Sequence, residues 1–424
     1  MKRLLILVVT ATGAGALIFG CERSAKRASS KLPTPETDPF AQPKSLQQVG
    51  APVELTDERI PADNPQTPEK ISLGRRLFLD RRLSVDGTVS CSTCHDPVRG
   101  FTDRKPTSIG IKGRVGQRNA PTVLNALYNK TQFWDGRVNT LEEQAALPIV
   151  NSVEMGHRNL DAAVAQIAAI AEYQQAFQRV FGRPLNGADL VRAIASYERT
   201  QLSFDSPFDH FIAGDKNSID ESAKRGWELF NNQGRCNKCH ALTDTTRDVT
   251  NLIDNDFHNI GILFVQHKVV PLARQAEQLI KSGDTSAIDR AAIQTDMSAL
   301  GRFLITKQEK DIASFKTPNI RNVLVTGPYF HDGSQETLWD VIDHYNKGAG
   351  LQNPYLDEDI QPLALTENDI DDLVALMASL TSAIYQEQGA TELARQRALS
   401  RTNRPQRDTA RAFGPKPPRP APPK

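Results

Sequence analysis

Cys91-Ser-Thr-Cys94-His95 and Cys236-Asn-Lys-Cys239-His240 are the two stretches that decide the fold of this 424-residue chain. Each sets two thiols about one helical turn apart with an imidazole directly after them, so that two thioether bonds can hold one porphyrin while the histidine reaches its iron. The two pentapeptides use four of the five cysteines and point to two covalently attached c-type haems. A redox dithiol would sit in a βαβ context, and the flanking pattern is helical instead. A four-thiolate zinc site fits less well: the pairs lie 145 residues apart (236 − 91), far beyond ribbon spacing, and each carries the extra histidine.

Outward from these motifs the apolar residues recur with helical period. Leu160, Val164, Ile167, Ile170 and Phe177 line one face up to the Gly182-Arg-Pro184 stop, and the same reading predicts helices over 188–202, 221–230, 337–345 and 366–385. No run of alternating strand residues appears, so the fold class expected is all-α. Gly-x-x-Leu-Phe stands before each motif, at Gly74 to Phe78 and at Gly226 to Phe230, as expected of two related modules. The expected organisation is a leader at 1–20, a disordered tether at 21–66, an N-terminal haem domain at 67–215, a C-terminal haem domain at 216–400, and a Pro/Arg-rich tail at 401–424.

Composition narrows the rest. With a formal charge of +1 and 24% charged residues, nothing favours nucleic acid or a polyanion as partner. Lys2 and Arg3 precede an apolar run from Leu4 to Phe19, which reads as a secretory leader. Cys21, the odd cysteine, resembles the acceptor of a bacterial lipoprotein box, which would anchor the exported protein to a membrane face in the periplasm. The tether is rich in Pro, Ser, Lys and Gln. The tail holds seven prolines, and seven basic residues against the single acid Asp408, and is expected to stay extended.

The stretch Arg118 to Gly156 (RNAPTVLNALYNKTQFWDGRVNTLEEQAALPIVNSVEMG), with FHNIG at 257–261, LGRF at 300–303, FKTPNIRNV at 315–323 and TGPYFHDGS at 326–334, resembles the dihaem cytochrome c peroxidase and MauG superfamily. The likeness spans nearly everything between Ile71 and Leu380. It implies an all-α protein with two cytochrome-c-like haem domains facing one another across a calcium ion and an intervening tryptophan, which is Trp134 here. His95 and His240 match the proximal iron ligands. Sixteen residues beyond His95, where the peroxidase branch carries a second histidine, this chain has Ile111, so the first haem is expected to be open to peroxide. Glu154 matches the acid that shuttles the peroxide proton, and Gln144 and Pro148 match residues lining the same pocket. At the second haem the peroxidase branch uses methionine; Tyr345, nineteen residues after Thr326, takes that place. Tyrosinate lowers the iron potential. His344 and His331 are the rival ligands. Asn119 and the carbonyls of Thr326 and Pro328 match the calcium ligands, oxygen donors suited to a hard cation.

The resemblance therefore implies a MauG-type enzyme: hydrogen peroxide reacts at the first haem, and a substrate, such as a Trp or Tyr side chain on a partner protein, is oxidised remotely through the second. The alternatives are a cytochrome c peroxidase fed by a small cytochrome or cupredoxin, and a non-catalytic dihaem electron carrier.

Overall fold

The computed structural model describes residues 60–242, 252–262, 269–281, 296–349 and 353–409. The leader, Cys21, the tether up to residue 59 and the tail from residue 410 lie outside the described residues. No helix among the described residues is long and apolar enough to cross a membrane.

Helices dominate. In the first half they are α1 (Pro68–Leu79), α2 (Cys91–Cys94), α3 (Leu141–Val150), α4 (Leu160–Ala168), α5 (Ala171–Phe181), α6 (Gly187–Glu198) and α7 (Pro207–Ile212). In the second half come α8 (Glu221–Asn231), α9 (Val269–Lys281), α10 (Phe303–Thr306), α11 (Leu338–Asn346), α12 (Glu367–Ser379) and α13 (Gln386–Thr409). The strands described are a two-residue pair, β1 (Phe257–His258) antiparallel to β2 (Phe315–Lys316).

Most helix starts are written locally. Thr67, Thr140, Asn159, Asn186, Ser206, Asp220, Thr337 and Thr366 each accept a first-turn backbone N–H on the side-chain oxygen, satisfying donors that have no partner within the helix. The span expected as one helix from Leu160 to Val180 is two. Ile170, at φ −100° and ψ 111°, leaves helical geometry and starts α5 anew. The apolar period runs on because both helices turn the same kind of face to one core.

Buried apolar side chains gather in two large clusters. The first holds Phe78, Leu83, Ile149, Ile167, Phe177 and Tyr197 among others; the second holds Phe208, Phe230, Leu338, Trp339, Leu373 and Leu376. Phe208 joins the second, so the packing changes hands before the expected boundary at 215/216: Ser206 and Pro207 already begin α7. Val325 and Tyr385 belong to the first cluster, and the Tyr385 hydroxyl donates to the Pro97 carbonyl at 2.8 Å. The body also begins earlier than residue 67, since Asn64 is buried and donates to Glu142 and to the Arg192 carbonyl. At the other end, α13 carries helix through residues 401–409 of the expected tail.

The repeated Gly-x-x-Leu-Phe has a packing cause. A Cβ on Gly74 would lie 1.8 Å from the Ala193 carbonyl oxygen, and one on Gly226 would lie 2.1 Å from that of Asp372. In each half the helix before the haem motif crosses a partner helix, α1 over α6 and α8 over α12, in backbone contact that only glycine permits. Gly74→Ala and Gly226→Ala are each expected to destabilise the protein by about 3 kcal/mol, since overpacking forces rigid backbone apart; equilibrium unfolding in denaturant checks this.

Candidate haem and peroxide site

Each CxxCH motif closes one turn. The His95 N–H donates to the Cys91 carbonyl at 2.9 Å and the His240 N–H to that of Cys236 at 2.8 Å. Both rings are oriented alike: Nδ1 of His95 stands 3.3 Å from the Phe101 carbonyl, and Nδ1 of His240 stands 2.9 Å from that of Leu252. A carbonyl only accepts, so Nδ1 carries the proton and Nε2 is the nitrogen left for iron. Cys91, Cys94, Cys236 and Cys239 form no disulfide. Thiols free for thioether bonds and imidazoles of fixed tautomer fit a c-type haem at each motif.

A cavity of about 250 Å³ adjoins the first motif. Its wall brings together Cys94, His95, Glu154, Gln144, Pro148 and Trp134, and also Asn119, Thr326 and Pro328. Helix α3 supplies one side, since Leu141, Gln144 and Pro148 fall on one helical face. Thr140 and Glu143 cap its start reciprocally. Past its end the chain turns sharply: Gly156 N donates to Asn151 O at 2.8 Å and Met155 N to Pro148 O at 3.2 Å. That turn presents Glu154 to the cavity, where Oε1 accepts from Asn151 Nδ2 at 2.6 Å. Burial pushes the Glu154 carboxyl above the usual carboxylate range, with Arg137 and the Asn151 bond opposing. A carboxylate so placed can take up and return a proton.

Ile111 is buried in the first core and is not among the residues lining the cavity. Its N–H donates to the Glu154 carbonyl at 3.0 Å. The residue at the place of a ligand thus braces the backbone of the acid. Gly156, at φ +81°, passes so close to Ile111 that a Cβ would come 2.1 Å from its Cδ1.

Trp134 is fixed by two hydrogen bonds. Its Nε1 donates to the Asn119 carbonyl at 2.9 Å, and its own carbonyl accepts from Lys316 N at 2.7 Å. Beside it Asp135, fully buried, accepts from Arg118 at 2.6 Å and Arg137 at 3.0 Å. Burial works against the Asp135 charge, but the two guanidinium groups outweigh it and hold the carboxyl below its ordinary range. Arg302 Nη1 reaches across from the second half to the Asp135 and Gly136 carbonyls at 2.9 and 2.7 Å. The Asn119 amide Nδ2 donates to the Lys105 carbonyl at 2.9 Å, which fixes the side chain whose oxygen would face a cation.

At the second motif Tyr345 lies within electrostatic reach of Cys239 and Cys236; burial, with those two thiols, pushes its hydroxyl well above the usual phenol range. The rivals are occupied elsewhere. His344 Nε2 stands 2.8 Å from the Ile260 carbonyl, and the His331 ring stacks on Phe315 at 3.5 Å with its edge toward Trp134.

Sequence reasoning missed four charged groups on the cavity wall, Arg118, Arg137, Glu198 and Lys316. Burial pushes the Lys316 amine down to about 7, Asp135 opposing. It also missed His258, which bridges Asp254 at 2.8 Å and Asp357 at 2.7 Å. Burial disfavours the His258 charge, but these bonds outweigh it and push the ring up to about 12. Cys239, Asp254 and His258 bring possible metal donors within 4.8 Å of one another. Both ring nitrogens are already engaged and Cys239 belongs to the haem motif, so the group reads as a clamp. None of these residues carried a spacing signal; they meet only in the fold.

A family model described as di-haem cytochrome c peroxidase matches residues 68–217. A cytochrome-c peroxidase (IdrP1) of Pseudomonas sp. (strain SCT) is 36% identical over 331 residues, covering 76% of this chain and 83% of that protein. The methylamine utilization protein MauG of Methylorubrum extorquens is 34% identical over 322 residues, covering 76% and 80%. The crystal structure of a MauG-like protein associated with microbial copper homeostasis superposes with a TM-score of 0.64 at 31% identity, covering 77% of this chain and 93% of that one.

Proposed function

This chain belongs to the di-haem cytochrome c peroxidase and MauG family and is a haem-dependent oxidoreductase; from that premise we propose a MauG-type enzyme in which hydrogen peroxide is reduced in the cavity above His95 while a substrate is oxidised remotely, beyond the second motif. The observation that carries the reading is the cavity itself. It gathers Glu154, Gln144, Pro148 and His95 around one space, and the place of a capping histidine holds Ile111, whose side chain lies in the core instead. Bound haem would supply the redox chemistry at each motif.

The chain's own groups divide the remaining work. Glu154 takes the proton from one peroxide oxygen and returns it to the other, and Gln144 and Pro148 shape the space around it. Trp134, tied to Asn119 and to Lys316, offers an oxidisable indole between the two halves. Tyr345 would hold the iron of a haem at the His240 site, and a hard anionic donor there would favour its oxidised state. A calcium held by Asn119 and by the carbonyls of Thr326 and Pro328 would fix Trp134 through the Asn119 carbonyl. Removal of calcium with a chelator is expected to slow electron exchange between the two haems and calcium addition to restore it, read by rapid-mixing spectroscopy. The reading includes export to the periplasm through the leader at 1–20.

The branch is tested by electron source. Fast steady turnover of peroxide with a reduced small cytochrome or cupredoxin, at rates of a dedicated peroxidase, would sink the remote-oxidation reading. Peroxide-dependent crosslinking or hydroxylation of a Trp or Tyr on a partner protein is the expected result.

A further inference from the structure

Glu198 ends α6, in Ser196-Tyr197-Glu198-Arg199, and lines the same cavity as His95 and Glu154. The residue is 5% exposed, and its Oε2 meets no hydrogen-bond partner. The adjacent cation does not answer it: Arg199 Nη2 is held by both oxygens of Glu142 at 2.6 Å. An enclosed carboxylate without a donor is disfavoured, whereas the neutral acid brings its own. Burial accordingly pushes the Glu198 carboxyl up to about 8, with Arg199 opposing and Glu142 adding to the rise. The charged and titratable groups facing it are Arg199 from its own helix end, Glu142 from α3 and Cys91 from α2. Around the cavity wall stand Glu154, Arg137, His95, Arg118 and Lys316.

The reaction assigned above to this cavity needs more protons than one residue holds. Reduction of peroxide breaks the O–O bond and makes two waters from one H2O2, two electrons and two protons. In that reading the electrons come from a distant substrate through the second haem and bring no protons with them. Both protons must therefore enter at the cavity. We propose that Glu198 is the second proton carrier of the first haem cavity, supplying one of the two protons consumed; Glu154, ionised again once its shuttle between the peroxide oxygens is complete, relays the other from solvent. After turnover Glu198 is reprotonated from solvent and Glu154 is left ionised. This role presupposes the peroxide reading of the cavity, and it explains why an acid is buried there with an oxygen left unpartnered.

The test uses the holoprotein and its Glu198→Gln, Glu198→Asp and Glu154→Gln variants. Infrared spectroscopy at neutral pH is expected to show the C=O band of a buried protonated acid, which Glu198→Gln removes, Glu198→Asp shifts, and titration of the wild type bleaches near pH 8. Steady-state peroxide consumption by the wild type is expected to fall through the same pH range. In Glu198→Gln it is expected to be about tenfold slower at neutral pH and to lose that alkaline limb, a loss modest for a proton-transfer group. Glu198→Asp is expected to keep the limb. Absence of a protonated-acid band from Glu198, or a Glu198→Gln variant with wild-type rate and limb, overturns the proposal. A Glu154→Gln variant with full peroxide reactivity overturns the peroxide reading itself, whatever the Glu198 band shows. Should Glu198→Gln fail to retain haem, the wild-type titration and the Asp shift decide.

Discussion

Replacing Glu154 by glutamine is expected to slow the reaction with hydrogen peroxide by about 10²–10⁴-fold, the contribution of a positioned acid-base group, with both haems still attached. Glutamine keeps the shape and an oxygen for the Asn151 amide, which now bonds Glu154 at 2.6 Å, but cannot take up a proton. The pH dependence carries a second signature. Glu154 must be ionised to act as base, and burial raises its carboxyl above the usual range with Arg137 opposing. The wild-type rate should therefore rise with pH through a midpoint above that of an ordinary carboxylate. That acid limb should vanish in Glu154→Gln, as stopped-flow measurements across pH would show. Full reactivity in the variant would remove Glu154 from the mechanism.

The second large effect is expected at Tyr345. With Tyr345 holding the iron as proposed, exchange for methionine would replace a hard anionic donor by a soft neutral one and should raise the potential of the haem at His240 by on the order of 0.1 V or more, within the roughly 0.8 V range that axial ligands span. Potentiometric titration of the holoprotein reads this directly. Tyr345→Phe should abolish the tyrosinate spectrum without supplying a new ligand, because His344 is held on the Ile260 carbonyl and His331 is stacked on Phe315. An unchanged spectrum in Tyr345→Phe would mean another residue binds. With methionine in place, the chain should accept electrons from a small redox protein more readily and oxidise a remote substrate more weakly.

Much of this molecule is legible in one dimension. The turn that presents two thiols and an imidazole is five residues long, so its chemistry is fully local. The helix starts at Ser206, Thr337 and Thr366 are equally local, each depending on one side-chain oxygen three residues from its donor. The repeated glycine marks a close crossing even before its partner is known; the partners, Ala193 and Asp372, lie over a hundred residues away and could not be read. The division of the long apolar period at Ile170 escaped for the opposite reason. Periodicity reports which face is buried, and two helices burying the same face keep one period.

What the amino-acid order determined alone was the cofactor chemistry, the helical class and, with the family resemblance, which residues to expect in one site. Tertiary structure decided the rest. It set Ile111 under the Glu154 backbone, tied His344 to the Ile260 carbonyl, and drew Val325 and Tyr385 from the second half into the first core. It also enclosed Glu198 against a cavity without a partner. Motifs act through covalent neighbours at fixed spacing, whereas the protonation and reach of a buried group depend on which distant chain segments exclude water from it, and that information exists only after folding.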